Sequence, residues 1–240
     1  MNLDSMRLLT PDRIYEQELL DAGDGTDDEV VGNLSDLRRL NQLLGGTRVV
    51  IEAVSSSLAS AKEVSLLDVG TGSADIPSAV AARLRSLDVN ASVTAMDVSE
   101  RNLRLTRSRL TVDDRIALVR ADAFHLPFAD DSFDFVIASQ FLHHFREDEI
   151  IRLLEEFARV AERKIIIHDL MRNLAPYYFL RAAGAVFQSR LTRNDAPVSV
   201  LRGFTPEELR QLARRAGLSS FCVRRFFPYR LLMIADVSDE

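Results

Sequence analysis

The sequence predicts an α/β fold built on a doubly wound, mostly parallel, seven-stranded sheet. Three observations carry this expectation: short apolar runs with the pattern of buried parallel strands, helical periodicities alternating with them, and a glycine-rich turn after the first run. Residues 64–69 form that run, and Gly70, Thr71, Gly72, Ser73 and Ala74 follow before a helical pattern starts near Asp75. Strand, glycine turn and helix N-terminus bring a ligand close to bare backbone. Asp75 is read as the N-cap, and Pro77 falls in the first turn, where its missing N–H costs nothing. Dinucleotide, flavin and sulfonium binders all use such a turn, so the turn by itself does not choose among them.

The other elements follow in chain order. Residues 1–32 are polar and acidic, with Asp21, Asp24, Asp27, Asp28 and Glu29 around Gly23 and Gly25, and read as a loose arm with one short helix over 11–20. Leu34, Leu37, Leu40, Leu43 and Leu44 fall at helical spacing before Gly45-Gly46. With a second amphipathic helix over 48–58 they form a helical lid, so 1–62 is read as arm and lid and 63–240 as the sheet domain. Helices are expected over 76–87, from a Ser99 cap to about 110, and over 148–161; strands over 91–96, 116–120, 133–139 and 164–168. An insertion at about 170–203 breaks the rhythm with an apolar helix over 175–187 and a polar loop around Asn194, Asp195 and Pro197. Thr205-Pro206-Glu207-Glu208 opens a further helix with cap, N1 proline and N3 glutamate. Strands near 220–225 and 230–236, separated by Phe227-Pro228-Tyr229, close the sheet as a hairpin-like pair.

Composition narrows the function. At 240 residues and 47% hydrophobic, the chain can bury one sizeable core. A net charge of −6 argues against nucleic acid as a partner. The single cysteine, Cys222, excludes a disulfide framework and a multi-cysteine metal site, and is expected to be a buried, inert thiol. No leader pattern and no apolar run of spanning length is visible, so a soluble, cytoplasmic protein without a membrane span is expected. No cluster of acids and amides marks a metal site, and none is expected.

A dinucleotide fingerprint asks for a third glycine where this chain has Ala74, and its ribose-binding acid is matched in spacing by Asp97. The discriminating stretch is ADAFHLPFADDSFDFVIAS, residues 121–139: an acid after the third strand (Asp122), a Leu126-Pro127-Phe128 turn, and Ser132-Phe133-Asp134 opening the fourth. With the glycine turn, this run resembles the class I S-adenosylmethionine-dependent methyltransferases of small-molecule type, which include the quinone-biosynthesis enzymes. The resemblance implies the Rossmann-like methyltransferase fold and S-adenosyl-L-methionine as cofactor. It implies that Asp68, Gly70 and Gly72 line the methionine moiety, that Asp97 binds the ribose hydroxyls, and that Asp122 and the Ala123 backbone hold the adenine edge. Thr71, Asp75, Val98, Phe124 and Ser139 complete the implied cofactor cleft. Over a longer span, DLRRLNQLLGG, SQFLHHF, HDL and NDAPVSVLRGFTPEEL resemble a bacterial subgroup that accompanies type III polyketide synthases and flavin-dependent oxidoreductases. That subgroup reads Asn-Asp-Leu where this chain has His168-Asp169-Leu170.

Methyl transfer to a hydroxyl needs alignment and a base, and histidine is the natural base near neutral pH. His143, His144 and His168 fall just beyond strand C-termini, where open α/β sheets bind ligands. Of the adjacent pair, His144 is the one expected to face the cleft, with the other packed or solvated. For each histidine a structural hydrogen-bonding role is the alternative. Asp169 is read as a base, as the orienter of His168, or as a helix cap. The stretch Ser139-Gln140-Phe141-Leu142 lacks the signature of amide or nucleobase methylation. The aromatic stretch 177–187 is read as core or subunit surface, compatible with a homodimer, and as the best candidate for an apolar pocket wall. The expected function is O-methylation of a small, apolar, phenolic or polyketide-derived acceptor. The alternatives are C-methylation of a quinone or polyketide ring, and a non-catalytic cofactor-binding protein.

Overall fold

The computed structural model describes residues 9–111 and 115–237; the first part of the arm, residues 1–8, lies outside them. The apolar run becomes β1 (Glu63–Val69), which pairs in parallel with β2 (Asn90–Asp97) on one side and β4 (Phe133–Ser139) on the other. Beyond these, also parallel, lie β3 (Ile116–Arg120) against β2 and β5 (Ala161–Leu170) against β4. The last two strands, β6 (Ser220–Phe226) and β7 (Arg230–Asp236), form an antiparallel hairpin whose β7 arm pairs with β5. The order is β3-β2-β1-β4-β5-β7-β6. The winding reverses between β1 and β4, and open sheets bind ligands outside the strand C-termini at such a switch.

The helices are α1 (Asp27–Leu43), α2 (Gly46–Ser56), α3 (Asp75–Ser86), α4 (Glu100–Arg107), α5 (Glu147–Val160), α6 (Leu174–Ala182), α7 (Arg190–Arg202) and α8 (Pro206–Arg215). Alternation along the strands feeds two cores, one on each face of the sheet. Leu66, Phe135, Ile137 and Ile166 meet Val50 and Val54 of α2 and Val80 and Leu84 of α3. Leu67, Val136, Ile165 and Ile167 meet Ile150, Leu154 and Phe157 of α5 and Leu209 and Leu212 of α8. Each such side chain contributes roughly 1.5–3 kcal/mol by leaving water. Both faces are covered, so the cleft is left to the strand ends.

Five local expectations are corrected. Residues 11–18 are not helical, because side chains from the sheet domain take their carbonyls. Arg172 Nε donates to Pro11 O at 2.7 Å and Arg202 Nη1 to Glu16 O at 2.9 Å. The first lid helix begins at Asp27, inside the stretch 1–32 read as arm. The acidic cluster read as arm is its first turn, capped reciprocally by Thr26 and Glu29 and favoured by the helix dipole. The polar stretch around Pro197 lies inside α7, against local propensity, because lid contacts fix that helix. Asn33 donates to Thr192 Oγ1 at 3.1 Å, and the Asp195 carboxylate accepts from the Leu19 and Leu20 amides at 2.9 and 3.1 Å. The aromatic stretch splits into α6 and a 3-10 turn (Ala183–Val186), burying Leu180 and Phe187 while Tyr178 and Phe179 face outward. Cys222 is half-buried rather than buried. Among the described residues no helix is long and apolar enough to cross a membrane.

Candidate active site

The glycine turn after β1 is built by left-handed backbone at Gly70, Gly72 and Ala74 (φ +70°, +52° and +53°). At Gly70 no side chain fits, since a Cβ would stand 2.2 Å from the Phe141 ring. Ala74, not Asp75, occupies the N-cap of α3, and Asp75 is its first residue. The Asp75 carboxylate accepts from Ser73 Oγ at 2.7 Å and from Asn41 Nδ2 of α1 at 3.3 Å, which ties the lid to the turn.

Asp97, at the end of β2, accepts the Gly72 amide at 3.0 Å and the Ser99 amide at 2.8 Å, one on each oxygen. Each oxygen keeps lone-pair capacity, as recognition of a diol requires. Asp68 is 3% exposed, and burial, with the charges of Asp75 and Asp97, pushes its carboxyl up to about 7. Those neighbouring charges are all negative, so this end of the cleft is suited to a cationic ligand. At the other end Asp122 Oδ1 accepts the Phe124 amide at 3.0 Å, and Phe124, Phe145 and Phe141 meet edge to face.

One cleft of about 920 Å³ joins these groups. It is lined by Asp68, Gly70, Thr71, Gly72, Asp75, Asp97, Val98, Asp122, Ala123, Phe124 and Ser139, so every residue assigned to the cofactor from the sequence reaches it. His143 and His144 line it too, whereas His168 and the aromatic stretch 177–187 do not.

The histidine assignments change accordingly. His143 sits on a 3-10 turn after β4 (Leu142–His144) and is buried. Its Nδ1 meets Asp169 Oδ1 at 2.7 Å, while Asp169 also accepts the Leu170 amide at 2.7 Å and the His143 amide at 3.3 Å. Asp169 therefore orients His143 rather than His168, and it caps no helix, since Asn173 caps α6. With Nδ1 committed, Nε2 faces the cleft and lies 3.6 Å from Glu18 Oε1 of the arm. Burial alone would lower the His143 pKa, but the charges of Asp169 and Glu18 outweigh it and raise it to about 9. Burial would likewise raise Glu18, yet the facing imidazoles of His144 and His143 hold it down at about 2.

His144 is partly exposed and pairs through Nδ1 with Asp21 at 2.6 Å. His168 is fully buried behind Ser139, sharing a 2.8 Å hydrogen bond between Nδ1 and Ser139 Oγ. Burial and the charge of Arg230 lower it to about 3, so it stays neutral and out of reach of an acceptor. Glu18, His143 and His144 come close enough together to be considered as metal ligands. However, His143 Nδ1 is committed to Asp169 and His144 Nδ1 to Asp21. The rings, tilted by 32° with centroids 4.2 Å apart, keep only their Nε2 atoms, and His143 Nε2 already faces Glu18. Glu18, Asp21, Ser199 and Arg202 join the site without any signal in local spacing, because they reach it from the arm and from α7.

Comparison with known proteins agrees with this geometry. Residues 66–164, which run from β1 into β5, match a protein family described as a methyltransferase domain. Over those residues the chain carries a methyltransferase domain. It is 36% identical over 130 residues to a demethylmenaquinone methyltransferase of Clavibacter sepedonicus, covering 51% of each chain. It is 29% identical over 188 residues to methyltransferase GfsG of Streptomyces halstedii, covering 73% of this chain and 56% of that one. The chain thus spans about half the length of these curated relatives. Human N-acetylserotonin methyltransferase in complex with its cofactor shares the fold at 16% identity, with a TM-score of 0.64, covering 92% of this chain and 62% of that one. The cofactor of the methyltransferase domain is S-adenosylmethionine, and the residues present fit it: a buried acid among acids for a cationic amino-acid tail, a carboxylate for a diol, and an acid beside the turn after β3 for an adenine edge.

Proposed function

We propose that this protein O-methylates a small phenolic or polyketide-derived acceptor, and that His143 is the base, oriented by Asp169. The observation that carries this reading is the buried His143–Asp169 pair at the ends of β4 and β5, aimed into the cleft that the glycine turn opens on. When bound, S-adenosylmethionine supplies an electrophilic methyl group on a sulfonium centre. Asp68 and Asp97 hold its charged and hydroxylated parts, and the Gly70 and Gly72 backbone allows the close approach. The charges of Asp169 and Glu18 raise His143 to about 9. Nε2 therefore takes the acceptor's proton only from the neutral imidazole, a fraction that grows as pH rises or as Glu18 is withdrawn. Asp169 fixes the tautomer and stabilises the imidazolium that then forms.

The wall near His143 combines Tyr15, Phe141 and Phe145 with Ser199 and Arg202. This mixed wall supports an aromatic frame bearing polar oxygens, as in the small phenolic acceptor expected from the sequence. The likeness to demethylmenaquinone methyltransferases supports an acceptor of quinone kind. The experiment is to incubate the protein with S-adenosylmethionine and a panel of phenols, resorcinols, hydroquinones and polyketide lactones, and to identify the product by mass and by the carbon or oxygen that bears the methyl. His143→Gln is expected to lower turnover by about 10²–10⁴ with cofactor affinity preserved. Unchanged turnover in that variant overturns the assignment of the base.

A further inference from the structure

The arm places a carboxylate where an acceptor would have to stand. Glu18 is 5% exposed. Its Oε1 accepts a hydrogen bond from Ser199 Oγ at 2.7 Å and lies 3.6 Å from His143 Nε2 and 3.9 Å from Arg202 Nη1. These three donors belong to the body of the protein: His143 to the turn after β4, Ser199 and Arg202 to α7. Only the carboxylate belongs to the arm. The two cationic heads are also anchored independently of it: Asp169 holds His143, and Arg202 donates to the His143 and His144 carbonyls at 3.1 and 2.6 Å. The single Ser199 hydroxyl proton is shared between Glu18 and the Asp195 carbonyl 2.9 Å away. The cradle therefore does not depend on its occupant for its shape.

We propose that this cradle is the binding site for the acidic oxygen of the acceptor, a phenol or enol, and that Glu18 is its internal stand-in, displaced when the acceptor enters. The proposal rests on the methyltransferase reading only for the statement that this oxygen is the one methylated; the cradle's preference for an oxyanion is independent of it. Two cationic or hydrogen-bonding heads and a hydroxyl converge on one oxygen, in a buried place where charge-assisted hydrogen bonds are strong. The same field that keeps Glu18 ionised favours the deprotonated form of a phenol. An aliphatic alcohol, which stays protonated, gains little from this field and does not displace a carboxylate. The proton balance is closed: the phenol O–H proton passes to Nε2 of a neutral His143, or the acceptor arrives as an anion on the imidazolium. The charged groups facing His143 are Asp169 from β5, Glu18 from the arm, His144 with its partner Asp21, and the guanidinium groups of Arg202 and Arg13.

The test is an anion titration of wild type and Glu18→Ala at pH 8, with 4-nitrophenolate followed by absorbance and acetate followed by calorimetry. Vacating the cradle is expected to tighten 4-nitrophenolate binding at least about tenfold, one tenfold step being about 1.4 kcal/mol. Glu18→Gln, which keeps the shape and drops the charge, is expected to move the His143 imidazole titration, read by NMR, down by about one pH unit or more. Adding 4-nitrophenolate to Glu18→Ala is expected to move it back up. No gain in 4-nitrophenolate binding overturns the proposal, as does a gain for acetate alone, which would make the cradle a pocket for the arm's carboxylate only. Calorimetry with S-adenosylhomocysteine reports separately on the cofactor site, so failure of the methyltransferase reading leaves the anion titration interpretable.

Discussion

Asp68 is held in a state that the ligand-free fold disfavours, and Asp68→Asn exposes the cost. Burial and the nearby Asp75 and Asp97 raise its pKa to about 7, against about 3.9 for an aspartate in the unfolded chain. Roughly three pH units at 1.36 kcal/mol each make the ionised form cost the empty fold up to about 4 kcal/mol at pH 8. The folded pKa is raised, so the protonated group's contribution is fully present below about pH 4 and is lost as pH climbs through about 7. Asp68→Asn is therefore expected to stabilise the ligand-free protein at pH 8 by about 1–4 kcal/mol and to change it little at pH 4. Function reverses the sign. A cationic amino-acid tail selects the carboxylate, so binding below pH 7 expels one proton and affinity falls about tenfold per pH unit. The assay pairs thermal unfolding of both proteins at pH 4 and pH 8 with S-adenosylhomocysteine calorimetry from pH 5 to 8. An Asp68→Asn variant that binds the ligand like wild type, or a pH-independent affinity, refutes the reasoning.

Three further outcomes are expected. Gly70→Ala drives a Cβ to 2.2 Å from Phe141 at φ +70°, and calorimetry should show S-adenosylhomocysteine affinity falling at least about tenfold, with strain of about 1–3 kcal/mol in the melting curve. His168→Ala removes a group buried behind Ser139, so it should lower the melting temperature and leave turnover close to wild type, unlike His143→Gln; a lost rate with intact cofactor binding would restore His168 to the machinery. His143, raised to about 9, stabilises the fold below its unfolded pKa of about 6.5, and this contribution is lost as pH rises through 9. Melting temperatures should therefore drop between about pH 6.5 and 9 in wild type and less so in His143→Gln.

The sheet and the cofactor half of the cleft were legible because their signals are local. A strand of one register carries Asp68 one residue before its end, the turn needs glycine at 70, and Asp97 and Asp122 each end or follow a strand whose position the pattern fixes. Topology then carries all of them to one edge. The acceptor half was legible only as a set of names. His143, His144, His168 and Asp169 were in view, but their pairing depends on which way a 3-10 turn faces: one residue of rotation gives His143 to Asp169 and leaves His144 to Asp21 at the rim. Alternation along β5 buries His168 behind Ser139, a consequence that a strand pattern without its neighbours does not reveal. Glu18, Ser199 and Arg202 were not legible, because their contacts join segments about 125 to 180 residues apart and rest on no spacing rule. The acidic cluster at 27–29 misled in the opposite direction. Composition reads it as loose chain, whereas Thr26 and Glu29 turn it into a capped helix start.

The most direct test of the central claim is a product analysis with methyl-labelled S-adenosylmethionine and the best phenolic acceptor, run side by side on wild type, His143→Gln and Asp169→Asn. The expected result is a label on oxygen in the wild-type product, with both variants slower by about 10²–10⁴ while S-adenosylhomocysteine still binds. Label on a ring carbon, formed at the wild-type rate in His143→Gln, would contradict the account.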